Sequence, residues 1–239
     1  MSITCFELFG ERCSGTNFLE EAITANFELT YKNEGRNKHF FCHNNYDSTY
    51  DNTLFIGIVR HPINWLNSYH VEMHNIPKQN RKNIMTFLFN PFYSVDVINY
   101  NDKNKNNQTN FSFNINYTLN KEIVIQEDKN YVTGGKYKNI FELRKLKNEY
   151  LMNIMSKKVK HYILLNYEIL LNNFQETLGL LRDTFQLKQK HVLFQTIKKY
   201  KKSTFYNFVK QREILFSPQI IQIIWNNLDK EQENKLGYS

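Results

Sequence analysis

Cysteine, proline and glycine are all scarce in this chain, at 3, 4 and 8 among 239 residues. The cysteines, Cys5, Cys13 and Cys42, are odd in number and form no Cys-x-x-Cys pair. That argues against a disulfide framework or a zinc ribbon and suits a reducing cytosol. No run approaches the roughly 18–20 apolar residues that a membrane span requires. The start of the chain, MSITCFELFGERC, lacks a basic segment followed by an apolar stretch, and it is not an Arg-rich amphipathic one. It therefore reads as neither a signal nor a transit peptide, and a cytoplasmic location is expected. Disorder throughout is also excluded, because 41% of residues are hydrophobic and 15% aromatic.

The chain has ample length for a real hydrophobic core in one α/β domain. Lys and Arg total 31 against 23 Asp and Glu, a formal charge of +8. Such a balance favours an anionic partner: a nucleotide, a polyanion, a nucleic acid or a membrane surface. Asn, Lys, Ile, Tyr and Phe, all encoded by AT-rich codons, are abundant, so bulk basicity by itself names no partner.

Strands and helices alternate along the chain. Ile3–Phe9 reads as a strand closed by Gly10, and Asn17–Phe27 carries Phe18, Leu19, Ala22, Ile23 and Phe27 at helical spacing. Thr53–Val59 is a continuous apolar run, as expected of a central strand covered on both faces. Pro62 suits the first turn of a helix reaching about Met73. Tyr162–Asn166 is a further strand, followed by a helix from about Glu168 to Phe185. From about Lys188 onward a helical C-terminal part is expected, with amphipathic Gln219–Leu228 near its end. Together these predict a three-layer α/β fold with a mostly parallel central sheet. One domain over 1–239 is expected, with a variable insert at about 76–131. Within that insert 99–110 is low-complexity and reads as a loop, and 111–126 alternates enough for a hairpin.

Chemistry concentrates first in Gly10-Glu11-Arg12-Cys13-Ser14-Gly15-Thr16-Asn17, between a strand and a helix. A P-loop-like turn of this kind aims backbone N–H groups and a helix N terminus at an anion, typically a phosphate. The frame is Gly-x4-Gly, but Thr16 stands where a nucleoside triphosphatase has the Lys that reaches the β- and γ-phosphates. The second motif is Arg60 at a strand end with Ser68 eight positions on, about two helical turns later. Arg60 would leave the carboxyl edge of the sheet, where open α/β sheets bind ligands.

As an ordered set these residues resemble the PAPS-dependent sulfotransferases, whose donor is 3′-phosphoadenosine 5′-phosphosulfate (PAPS) and whose nucleotide product is adenosine 3′,5′-bisphosphate (PAP). The family's Lys/Arg-Ser-Gly-Thr loop, which holds the 5′-phosphosulfate, is matched by Cys13-Ser14-Gly15-Thr16 and Asn17. Its Arg and Ser for the 3′-phosphate are matched by Arg60 and Ser68, and its Tyr-Glu-x-Leu segment by Tyr167-Glu168-Ile169-Leu170. The resemblance implies that Tyr167 lies near the adenosine. The tail from Leu228 to Tyr238 also looks like the end of many members. Where the family loop has its basic residue this chain has Cys13, and the nearest cation is Arg12. The resemblance makes Arg12 a candidate for the sulfuryl group or the bridging oxygen. A nucleophilic Cys13 is the other reading, since a helix N terminus lowers a thiol pKa.

Sulfuryl transfer needs positioning, a stabilised leaving phosphate and a base for the acceptor hydroxyl, with no metal. Members of the family often carry a Lys and a catalytic His between the loop and the Arg strand. Lys38 and His39 fall in that interval, with His43 a competitor for the base. A basic segment late in the family covers the 3′-phosphate, a role open to Lys201 or Lys202 within Lys198–Lys202. Arg144 is a notable cation without an assigned role. His70 and His74 have the one-turn spacing of a zinc pair but no third ligand. The expected activity is transfer of a sulfuryl group from PAPS to a hydroxyl or amine, with a carbohydrate or small-molecule acceptor favoured. The alternatives are a catalytically degenerate nucleotide binder, a nucleotide kinase, and a basic polyanion or nucleic-acid binder. A specific nucleic-acid partner is not expected, because the charges do not gather with aromatics in one recognition module.

Overall fold

The computed structural model describes residues 2–32, 38–39, 42, 46–73, 75–97, 122–125, 128–198 and 212–238. In chain order its strands are β1 (Cys5–Phe9), β2 (Thr30–Tyr31), β3 (Thr53–Val59), β4 (Val95–Val97), β5 (Glu122–Val124) and β6 (His161–Asn166). The helices are α1 (Thr16–Asn26), α2 (Pro62–Val71), α3 (Ile84–Phe89), α4 (Ile140–Glu149), α5 (Met155–Lys158), α6 (Tyr167–Asn172), α7 (Phe174–Phe185), α8 (Pro218–Asn227) and α9 (Lys230–Lys235). The residues group into two compact units, Met1–Val71 with Lys147–Ser239, and Glu72–Leu146.

Every residue of β3 is buried, and the sheet order explains it. The order is β2-β1-β3-β6 with all pairs parallel, so β3 has a strand on each side and layers above and below. Thr-Leu-Phe-Ile-Gly-Ile-Val meets that demand with apolar and β-branched side chains. On one face Phe6, Leu8, Leu54, Ile56 and Ile58 pack with Phe18, Leu19 and Ile23 of α1 and with Leu170, Leu178 and Leu181 of α6 and α7. On the other face Gly57 leaves room for the Tyr162 hydroxyl and for Leu151, where an added Cβ would stand 2.5 Å and 3.3 Å from them. Helical residues thus cover both faces, and the chain has the three-layer α/β fold with a parallel central sheet that alternation of strands and helices predicts.

Two stretches differ from their expected course. The helix expected over about 168–185 is two helices, broken at Asn173, whose φ of −121° and ψ of 48° are not helical. Asn side chains compete with the helix for backbone hydrogen bonds, and here Asn172-Asn173 ends one helix and starts the next. The stretch 188–198 is irregular rather than helical. Its backbone bonds go to the end of α1 instead: Lys190 N donates to Asn26 O (2.8 Å), and Glu28 N donates to Lys188 O (2.9 Å). Asn26, fully buried, completes the seam by accepting from Gln195 N at 2.6 Å.

The second unit is built from short elements. Strand β4 pairs antiparallel with β5, so the described end of the expected 111–126 hairpin pairs with Val95–Val97. The rest of that hairpin, 111–121 with 126, and the low-complexity loop 99–110 lie outside the described residues.

Candidate functional site

Chain direction determines where polar groups can gather. From β1 the chain passes through α1 to β2 on one side, and from β3 it passes eventually to β6 on the other. Connections that leave adjacent parallel strands in opposite senses open a crevice at their carboxyl ends. The loop after β1, Arg60 after β3 and Tyr167 after β6 all occupy that edge.

The loop Gly10–Gly15 turns sharply. Cys13 (φ 64°) and Gly15 (φ 103°) are both left-handed, with Ser14 between them at negative φ. Alternation of handedness is the backbone pattern from which anion-accepting nests are built, and here the Ser14 N–H donates to Glu11 O at 3.1 Å. Gly15 is the N-cap of α1, no side chain caps that end, and the first turn holds no acidic residue. Neither the N-cap residue nor an acidic residue of the first turn therefore supplies an anion to the N–H groups of α1. Gly15 is also required sterically, because a Cβ there would lie 2.2 Å from the Tyr167 ring. Ser14 is buried, and its hydroxyl donates to Glu11 O at 2.6 Å, which holds the turn closed.

Arg60 bridges two of the three segments. Its guanidinium donates to Cys13 O (3.0 Å) and lies over the Tyr167 ring, 4.8 Å from the centroid. A carbonyl and a π face carry no net charge, so these two contacts do not themselves neutralise the guanidinium. Trp65 of α2 donates from Nε1 to Arg12 O at 2.8 Å, tying the helix that carries Ser68 to the same loop. Ser68 is 6% exposed. Glu168, next to Tyr167, accepts from His61 N with both oxygens at 3.1 Å and from the Tyr238 hydroxyl at 3.1 Å. The tail thereby fastens the start of α6.

Lys38 and His39 lie against the loop. Gly10 N donates to Lys38 O (2.9 Å), and His39 Nδ1 donates to Gly10 O (2.7 Å). Lys38 Nζ donates to Asn17 Oδ1 at 2.9 Å, which sets an ammonium beside the first turn of α1, and Glu20 lies 3.7 Å from it. Desolvation of the His39 ring, then the Arg12 guanidinium, hold its pKa well below the ordinary imidazole value, against the opposing bond to Gly10. His39 is therefore neutral, and since a carbonyl only accepts, the proton is on Nδ1 and Nε2 is the bare acceptor.

Glu11 and Lys147 had no role in the sequence reading. Lys147, in the last turn of α4 and 2% exposed, lies 2.5 Å from Glu11 Oε2 and donates to His39 O at 2.8 Å. Glu11 also accepts from Arg12 N (2.7 Å) and lies 3.6 Å from the Arg12 guanidinium. Arg12, the expected substitute for the loop cation, is thus buried and engaged with the neighbouring carboxylate. Glu11 stands inside the quoted loop, but Lys147 is supplied by a distant part of the chain and no local pattern marks it.

The remaining candidates fall elsewhere. Arg144 belongs to the second unit and is buried. Lys198 is exposed, while His43, His74 and Lys199–Lys202 lie outside the described residues. The His70 ring packs on Phe216 at 5.8 Å, and burial lowers its pKa. Among the described residues no group of three or more His, Cys, Asp or Glu could hold a metal ion, and no helix is long and apolar enough to cross a membrane.

Fold and site together define an α/β protein whose polar groups meet at the carboxyl edge of a parallel sheet, around an uncapped helix N terminus. Compared with models of protein families, with curated proteins and with solved structures, the chain finds no match.

Proposed function

We propose that the chain is a PAPS-dependent sulfotransferase of the cytoplasm, acting on a hydroxyl or amine of a carbohydrate or small molecule. The observation that carries this reading is the meeting of the uncapped α1 N terminus, Arg60, Tyr167, Lys38 and His39 around one loop. Three features support a 5′-phosphosulfate at the loop: left-handed Cys13 and Gly15 flank Ser14, the N-cap residue of α1 makes no side-chain cap, and no acidic side chain occupies the first turn. Arg60 and the Ser68 hydroxyl suit the 3′-phosphate, and the Tyr167 ring suits the adenosine.

PAPS supplies an activated sulfuryl group whose bond to the phosphate breaks as the acceptor oxygen or nitrogen attacks sulfur. The chain's part is positioning and charge. The N–H groups of residues 15–17 and the Lys38 ammonium stabilise negative charge on the departing phosphate. His39 accepts the acceptor's proton at Nε2, and its neutrality keeps it competent below the usual imidazole range. Arg12 acts through Glu11 on the loop rather than as a free cation.

One observation favours a second reading, a nucleotide binder without transfer activity. Cys13 stands where the family has a cation, and Arg12 is engaged by Glu11. Such a protein would bind the bisphosphate and release no sulfated product from labelled PAPS.

Calorimetric titration with adenosine 3′,5′-bisphosphate, ATP and a duplex oligonucleotide at matched salt tests the proposal. The bisphosphate should bind best and without magnesium; magnesium-dependent ATP binding favours a kinase, and salt-sensitive oligonucleotide binding alone favours a polyanion binder. Arg60→Ala should cost about 1.5–3 kcal/mol of bisphosphate affinity. Ser68→Ala should cost less, and both losses should shrink for adenosine 5′-phosphate. Equal losses for the two ligands overturn the assignment of the 3′-phosphate.

A further inference from the structure

The buried pair Glu11–Lys147 is unexplained by the proposed donor contacts. A buried ammonium carries a large desolvation cost unless polar groups hold it. Lys147 Nζ lies 2.5 Å from Glu11 Oε2 and donates to the carbonyl oxygen of His39 at 2.8 Å. Glu11 is next to Gly10, whose own carbonyl takes the His39 Nδ1 proton at 2.7 Å. The contacts close a ring running from Gly10 to Glu11, to Lys147, to the His39 peptide, through the imidazole and back to Gly10.

We infer that Glu11 and Lys147 are positioning residues for His39. The ammonium, anchored on the Glu11 carboxylate, grips the His39 peptide by its carbonyl, and Gly10 grips the ring by its Nδ1 proton. With both ends held, the imidazole keeps one tautomer and one orientation, leaving Nε2 as the acceptor. Among the described residues, the charged groups that disfavour a proton on the ring are Arg12 from the loop, Lys38 from its own segment and Lys147 from α4, all cationic. They oppose a proton on Nε2 in the resting protein. The inference rests on His39 being the base of the proposed reaction, but the ring geometry is measurable without any substrate.

The test is nitrogen NMR of the full chain labelled at histidine and lysine, with the His39 signals assigned by their loss in His39→Asn. In the unsubstituted protein His39 should be in the Nδ1–H form at pH 7. Acidification should shift the Lys147 Nζ signal in step with protonation of the His39 ring. In Lys147→Met and Glu11→Gln the Nδ1–H form should lose its dominance, and in Lys147→Met the ring's proton affinity should rise, since one of the cations that lowers it is gone. A merely structural role would lower the melting temperature of these variants and leave the tautomer of the folded molecules alone. An Nε2–H ring in the unsubstituted protein overturns the inference, as does a Lys147 signal indifferent to His39. These two outcomes are read on the unsubstituted protein. With an acceptor in hand, Lys147→Met should lower turnover roughly 10–100-fold, the size of outer-shell losses at metal-bound histidines, with the KM for donor little changed. If the bisphosphate fails to bind while the NMR result holds, the sulfotransferase reading fails and the positioning ring stands.

Discussion

In the unit formed by Met1–Val71 and Lys147–Ser239, order comes from contacts between distant segments: a parallel sheet, an apolar layer over it and one polar edge. In the unit Glu72–Leu146, short side chains hold the backbone beside them. Asn83 and Thr86 form a capping box for α3, and Asn139 accepts from Phe141 N and Glu142 N at the start of α4. Asn130 likewise accepts from Val132 N (2.9 Å) and Thr133 N (3.2 Å), and Ser94 donates to the buried Asp128. A protein so rich in asparagine can thus spend it in two ways. In the second unit it closes turns locally, while in the first Asn26 ties α1 to a segment far along the chain. The first unit is sensitive where segments meet, and the second where a single cap is lost.

The largest effect should come from Gly15→Ala. It places a methyl 2.2 Å from the Tyr167 ring at a φ of 103°. Left-handed strain and overpacking together should cost about 2–5 kcal/mol, read as a fall in the urea midpoint, and bisphosphate binding should disappear with it. Stability within 1 kcal/mol of the parent, as an order-of-magnitude bound, would show that the loop and α6 move apart freely and would break the contrast between the units.

The pH dependence is intermediate in size. The folded pKa of His39 lies below the ordinary 6.5. Its contribution to stability is therefore complete above the unfolded value and is lost as pH falls from there toward the folded pKa, because only the unfolded chain binds the proton in that window. The loss approaches about 1.4 kcal/mol per pH unit for one group. Burial lowers the His70 pKa too, so the comparison is of urea midpoints from pH 7 to 5 between the protein and His39→Asn. The two should converge on acidification; parallel curves would mean that His39 titrates alike in both states.

Asn83→Ala should have the smallest effect. Loss of an exposed N-cap costs about 1 kcal/mol, measured by hydrogen exchange across Ile84–Phe89. Bisphosphate affinity should stay as it was, and a change would mean that the second unit reaches the site.

Much of the sheet was legible because its signal is local and repetitive. Thr53–Val59 is apolar at nearly every position, and the helix beginning at Pro62 is announced by a residue pre-set for a first turn. The loop and Arg60 were legible for the same reason, since a strand, a turn and a helix that follow each other in sequence stay together in space. The two-residue strand β2 and the break at Asn173 were not, because two extended residues carry no periodicity and the asparagine pair sits in an otherwise helical pattern.

By itself, then, the sequence determined the alternation of strands and helices, hence a parallel sheet with covered faces, and the polar residues that leave its carboxyl edge. Only the tertiary structure decided how the charges are shared. It turned Arg12 onto Glu11 and brought Lys147 across 108 positions to the His39 carbonyl. It also stacked Arg60 on Tyr167 and buried Ser68. The reason is physical: apolar burial follows from each segment's own periodicity, whereas a buried charge must find its counter-charge wherever the fold places one.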